Sequence, residues 1–128
     1  MTTIGCFMLT PIGKNENGLH LYRDPNGDVY HLGNVVSDGI PPATEGAMWD
    51  AEWFRACRDD VTGLAYDRNP DGIVLCVRCP GGDWLVDGPS KGGGSWSRTG
   101  TVPFVTVTPS ILQPSYHGWL RNGVLESC

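Results

Sequence analysis

Apolar and polar positions alternate over most of this chain, and where they do the period is two rather than 3.6. Residues 3–9, "TIGCFML", read as a buried strand, and "TPIGKNENG" reads as the loop after it. The stretch "LHLYRDPNGDVYHL" is two alternating arms around Asp24-Pro25-Asn26-Gly27. Asp first, Pro second and Gly last fit a type I turn closed by a left-handed glycine, so a hairpin is expected with Tyr22 opposite Tyr30. In that register His20 shares the tyrosine face and His31 the face of Leu21 and Val29, so the two histidines do not converge. "VVSDGIPPAT" reads as a connecting loop.

One stretch breaks the two-residue rhythm. In "EGAMWDAEWFRACRDD" the residues Trp49, Trp53, Ala56 and Cys57 fall at helical spacing. Thr44 suits the cap, Glu45 the first turn, Arg55 and Arg58 the last, and Gly63 the stop. The spacing predicts a helix over about 44–59 that packs through Trp49 and Trp53. From residue 67 the pattern returns to β. "IVLCVRC" and "DWLVD" are strands joined by Pro80-Gly81-Gly82, and "GPSKGGGS" is a loop. "FVTVTPSI" is a strand that Pro109 ends or marks as an edge, and "YHGWLRNGVLES" is a hairpin around Arg121-Asn122-Gly123. The expected fold is therefore α+β, mostly antiparallel β. It is one domain over 1–128, with strand and hairpin 3–36, helix about 44–59 and β region 67–127.

Composition agrees with a turn-rich β domain: 18 glycines, 10 prolines and 12 aromatic residues in 128. A net charge of −5, with nine basic residues and no run of them, argues against nucleic acid as a partner. The start "MTTIGCFMLTP" has no basic segment before its apolar run, and that run is too short to export or span, so no membrane partner is expected. Five irregularly spaced cysteines read as free, buried thiols of a cytoplasmic protein.

The C-x-x-C of Cys76 and Cys79 raises the question of zinc. Metal needs both thiols on one side, whereas positions i and i+3 of a strand face opposite ways, and the turn residues come only after both. No second ligand pair exists. The metal alternative would recruit Cys76, Cys79 and His117; the strand pattern favours two separately buried cysteines and no cofactor. Asp83 and Asp87 lie on the order of 13 Å apart along a strand, too far for a carboxylate pair working at roughly 5–9.5 Å, and read as solvated strand ends. Lys91 precedes the glycines of "GPSKGGGSW", so the order of a phosphate loop is not met. As a mobile loop, Lys91, Ser95, Trp96 and Arg98 offer an aromatic plane and two positive charges, with His117 as a neighbouring contact. No acid, base and nucleophile converge, so no catalytic residue is assigned.

Three stretches, "PPATEGAMWDAEWF", "PDGIVLCVRCPGGDWLVDG" and "TPSILQPSYHGWLRNGVL", in that order and spacing, resemble a group of small proteins of unknown function encoded by phages of actinobacteria. The resemblance covers about residues 40–126. Many such proteins insert a Cys- and His-rich stretch where this chain has "PSKGGGSWSRTGTVPFVTV". A broader set of small phage proteins carries C-P-x-C and a Cys-His pair before the last hairpin. Cys79 matches the first of these cysteines, while Gly82 and Tyr116 stand at two others. The resemblance implies a member that keeps the fold without the ligand set. The expected function is a non-enzymatic phage binding module acting on a host or phage protein in the infected host's cytoplasm. The alternatives are a minor virion component, such as a capsid decoration or adaptor protein, and, last, a small hydrolase. Exposed strand edges leave a homodimer open.

Overall fold

A computed structural model describes residues 3–51, 72–87, 97–113 and 116–127. The N-terminal run is not one strand. It splits into β1 (Thr3–Gly5), β2 (Phe7–Met8) and β3 (Thr10–Lys14), each in a different sheet. The expected loop after residue 9 is thus β3, bulged between Pro11 and Gly13 where it pairs with β4 (His20–Arg23). Next come β5 (Val29–Tyr30), β6 (Ala47–Asp50), β7 (Leu75–Cys79), β8 (Gly82–Leu85), β9 (Ser97–Thr99), β10 (Thr106–Gln113), β11 (Tyr116–Arg121) and β12 (Val124–Ser127). They form a five-stranded sheet in the order β1-β12-β11-β10-β9, a four-stranded sheet β2-β6-β7-β8 and a three-stranded sheet β3-β4-β5. All pairings between these strands are antiparallel except β2 with β6.

The four-stranded sheet is buried on both faces. Met48, Leu75, Val77, Cys79, Trp84 and Val86 pack against Val105, Val107, Leu120 and Leu125 of the five-stranded side. The intervening positions Ala47, Trp49, Val74 and Cys76 pack on the opposite face with Leu9, Tyr22 and Ala43. Register explains the sorting: Met48 lies opposite Val77, Trp49 opposite Cys76, and Val77 opposite Trp84. Strand partners share a face, so each row feeds one core.

This double burial overturns the expected helix and the α+β class. The described residues are all β, twelve strands with no helix. Residues 47–50 are an inner strand, residues 44–46 and 51 are not helical either, and Trp53 with the remainder of the expected helix, 52–59, lies outside the described residues. A strand covered on both faces is apolar at consecutive positions, so "AMW" loses the alternation that marks a half-buried strand. Trp49 is in the core, as a β residue.

The local turns follow their chemistry. Gly27 (φ 93°) closes the first hairpin with its N–H on the Asp24 carbonyl, and Asp24 Oδ1 accepts from the backbones of Asn26 and Asp28. Tyr22 does lie opposite Tyr30. In the last hairpin Asn122 and Gly123 both have positive φ (46° and 75°), as a two-residue type I′ turn requires. Pro109 lies inside β10, between Val107 and Ile111 where the register with β11 shifts, so it marks a bulge rather than the strand's end. Where the N-terminal strand changes sheets, a side chain at Gly46 (φ 94°) would meet the Gly5 carbonyl at 2.5 Å.

Two buried arginines join the layers. On β7 the Arg78 side chain faces the three-stranded side and spends all five N–H groups. Its Nε and Nη2 hold Asp83, at 2.8 and 3.1 Å; Nη1 donates to the Gly33 and Ala43 carbonyls, each at 3.0 Å; Nη2 also donates to the Leu32 carbonyl at 2.6 Å. The guanidinium lies 5.4 Å from the Trp49 ring centroid. On β9, Arg98 holds Asp87 through Nε and Nη2, at 2.9 and 3.1 Å, and reaches the Ile73 carbonyl. Asp87 Oδ2 also accepts the Leu75 N–H at 2.7 Å. Both carboxylates are therefore structural partners of arginine; Asp87 is buried rather than solvated, whereas Asp83 stays exposed at 39 % of its side chain.

Arg78→Ala should cost about 3–5 kcal/mol, because three carbonyls and a carboxylate lose one buried cation, and Arg78→Lys should recover little because an ammonium has no five-donor fork. The exposed pair Arg121–Glu126, 3.2 Å long, is the contrast: Arg121→Ala should cost under about 1 kcal/mol. Urea unfolding midpoints measure both, and equal losses would contradict the assignment.

Candidate functional site

The residues that sequence reasoning singled out do not assemble into one site among the described residues. Lys91, Ser95 and Trp96 lie outside them. Arg98 is committed to Asp87 and the Ile73 carbonyl, with 7 % of its side chain exposed. His117 is exposed on β11 opposite Leu112, whereas Arg98 lies opposite Val107. Five positions of β10 separate them, roughly 16 Å of strand.

Cys76 and Cys79 occupy opposite faces of β7, one in each core, and His117 belongs to a different sheet. Among the described residues no three His, Cys, Asp or Glu side chains are placed to hold a metal. Burial pushes the thiols of Cys76 and Cys79 up to about 12, and that of Cys6, beside the same core as Cys79, to about 11. Burial thus favours the neutral thiol at all three positions, which disfavours nucleophilic attack.

The structure instead forms a cleft of about 440 Å³ where the first hairpin meets the segment after it. One wall is Gly18-Leu19-His20 with Tyr22, and the other runs from His31 to Ser37. The first is shaped by Asn15, whose Oδ1 accepts from the Asn17 and Leu19 N–H groups at 3.0 and 2.9 Å. The second leaves β5 at His31, whose N–H donates to the Pro41 carbonyl and whose carbonyl accepts from Ala43. Ser37 and Ile40 then exchange backbone bonds around Asp38 (φ 52°) and Gly39 (φ 75°), a second tight turn. Asp38 Oδ2 accepts from Asn15 Nδ2 at 2.8 Å and from Asn17 Nδ2 at 3.0 Å, clamping the two walls together. Those bonds, Asn17's first, hold the Asp38 carboxyl below its usual range.

His31 is the distinctive group of the cleft. It is 3 % exposed. Its Nδ1 accepts the Gly33 N–H at 2.9 Å, so the neutral ring carries its proton on Nε2. That Nε2 is buried and has no partner among the described residues. The ring sits so close to Gly33 that an added Cβ would lie 2.8 Å from His31 Cε1. Gly33 and Leu32 are in turn held by Arg78. His20 lines the same cleft, so the two histidines do come to one cavity. The alternation that would separate them stops at Tyr30, where β5 ends. A second hollow of about 640 Å³ is lined by Glu45, Arg78 and Asp83 among others, but there Arg78 and Asp83 already satisfy each other.

Sequence reading took His31 and Leu32 as the end of a hairpin arm and 35–44 as a connector. The signals passed over were a glycine two residues after a histidine, and an apolar pair, Val35-Val36, within a loop. Val35 and Val36 are 69 % and 65 % exposed, unusual for consecutive valines. Comparison with protein-family models, with curated proteins and with solved structures gives no match to this chain. Among the described residues no helix is long and apolar enough to cross a membrane.

Two measurements test this description. The buried thiols have folded values above the ordinary 9.0, so their contribution to stability is complete below that pH and is lost as pH rises toward 11–12. Cys6, Cys76 and Cys79 should resist a thiol reagent at pH 8 until denaturant is added; rapid native labelling of Cys76 would contradict their burial. Asp38 shifts the other way, so its clamp persists above the ordinary carboxylate range and is lost as pH falls below it. The side-chain amide signals of Asn15 and Asn17 should move together only in that acidic range, and movement at higher pH would break the assignment.

Proposed function

We propose that this protein is a non-enzymatic binding module and that the His31 cleft is its ligand site. One observation carries the reading: His31, whose buried Nε2 has no partner among the described residues, lines a cleft whose two walls are joined by Asp38 through Asn15 and Asn17. Unpaired buried donors are costly and uncommon in folded proteins, and they concentrate at working sites. A catalytic role has less support. Among the described residues the cleft lining holds no carboxylate or thiol, and the Ser37 hydroxyl points its bond at the Val35 carbonyl, 3.5 Å away, rather than at either histidine. The setting, a phage accessory protein at work in an infected host cell, rests on the sequence pattern of residues 40–126 alone.

A fragment library screened by NMR against the ¹⁵N-labelled full chain tests the site. Hits should shift the amides of residues 18–20 and 31–37 and leave β10–β12 unchanged. A screen in which every hit maps elsewhere, or none appears, overturns the assignment. Gly33→Ala should abolish binding at that cleft while the chain stays folded, because the new methyl displaces the imidazole. For the setting, abundance in purified particles rather than in infected-cell lysate would overturn the intracellular role.

A further inference from the structure

Resting on that reading, we infer that the cleft takes a neutral aromatic amide or lactam, oriented by a carbonyl oxygen on His31 Nε2–H. The polarity of the contact is set first. Gly33 N–H occupies the acceptor nitrogen of the imidazole, so the free position is a donor and the ligand must bring the acceptor.

Charge is excluded next. Among the described residues the lining of the cleft contains no Lys, Arg, Asp or Glu. The nearest guanidinium, Arg78, meets the outer side of this wall through the Leu32 and Gly33 carbonyls and has no N–H left to offer. Asp38 at the rim is taken by Asn15 and Asn17. A cation or an anion in the cleft would thus be desolvated without a counter-charge, the arrangement that binding sites avoid. The chain's net charge of −5 adds a further penalty for anions.

The apolar demand comes from the walls. Leu19, Tyr22, Leu32 and Val35 are the apolar and aromatic residues of the described lining. About 440 Å³ falls within the range of small-molecule sites, roughly 300–1,000 Å³. Nε2 itself has no exposed surface, so the inferred binding includes an outward movement of the flanking arm 34–36 that lets the carbonyl reach it. Those three residues are exposed, and among the described residues the arm's own hydrogen bond is the one from Ser37 to Val35.

Four probes of matched size separate the terms: benzamide, benzoate, benzylamine as its ammonium ion, and ethylbenzene. Each is titrated into the ¹⁵N-labelled full chain, with shifts followed at residues 18–20 and 31–37 and at the His31 ring nitrogens. Benzamide should bind about tenfold more tightly than each of the others, the gain from satisfying one buried donor, and should move the Nε2 signal more than Nδ1. His31→Phe should erase that tenfold preference while ethylbenzene binding stays within about twofold; should this variant fail to fold, the Nε2 signal of the unaltered chain decides. Equal binding of all four probes, or preference for benzoate or the ammonium ion, with shifts still confined to the cleft, overturns the ligand class and leaves the binding-module reading intact. Benzamide that moves no cleft signal overturns the inference outright, and the fragment screen then judges the site separately.

Discussion

A guanidinium enclosed between two sheets is tolerable only if each of its donors finds an acceptor, and Arg78 meets that condition with none left over. Its partners come from three distant parts of the chain: Asp83 across the strand pair, Ala43 before β6, and Leu32 and Gly33 from the segment after the first hairpin. Apolar packing alone would let these parts slide, because burial has no direction. Five hydrogen bonds from one planar group do have direction, so Arg78 sets how the outer segment sits on the middle sheet. Arg98 with Asp87 does the same on the other side, tying β9 to the backbone of Leu75 and Ile73. The three layers are thus registered by one buried arginine on each side of the middle sheet.

The cleft inherits its shape from this arrangement. Arg78 fixes the carbonyls of Leu32 and Gly33; Gly33 fixes the imidazole of His31 through its N–H and through the absence of a side chain. His31 therefore presents one defined nitrogen, although it stands on an irregular segment beyond the end of β5. The rim is held differently. Asp38 and Asn17 are exposed and Asn15 partly so, so their bonds compete with water, and the 34–36 arm between them and Gly33 is exposed as well.

Double burial of the middle sheet also accounts for the cysteines. On β7 each alternate side chain enters a different core, so Cys76 and Cys79 are separated by the thickness of the strand itself. Their high pKa values follow from the same burial, and the spacing that looks like half a metal knuckle is a by-product of two apolar faces each accepting a thiol. Arg78, between them in sequence, is the position where that face turns polar, and it does so opposite Asp83.

Short-range rules made much of the β framework legible in the sequence. The Asp24–Gly27 turn, the Tyr22–Tyr30 register, the Asn122-Gly123 hairpin and the alternation of residues 75–79 depend on neighbours within a few positions, and backbone sterics decide them before any tertiary contact forms. What the sequence could not settle depends on partners far along the chain. Whether "AMW" is a helical stripe or a doubly covered strand turns on what lies across it. The use of Arg78 turns on carbonyls 35 to 46 residues away, and the meeting of His20 with His31 turns on where β5 stops. Those choices belong to long-range packing, which assigns both faces of the middle sheet and so decides which polar groups are buried with partners and which, like His31 Nε2, are buried without one among the described residues.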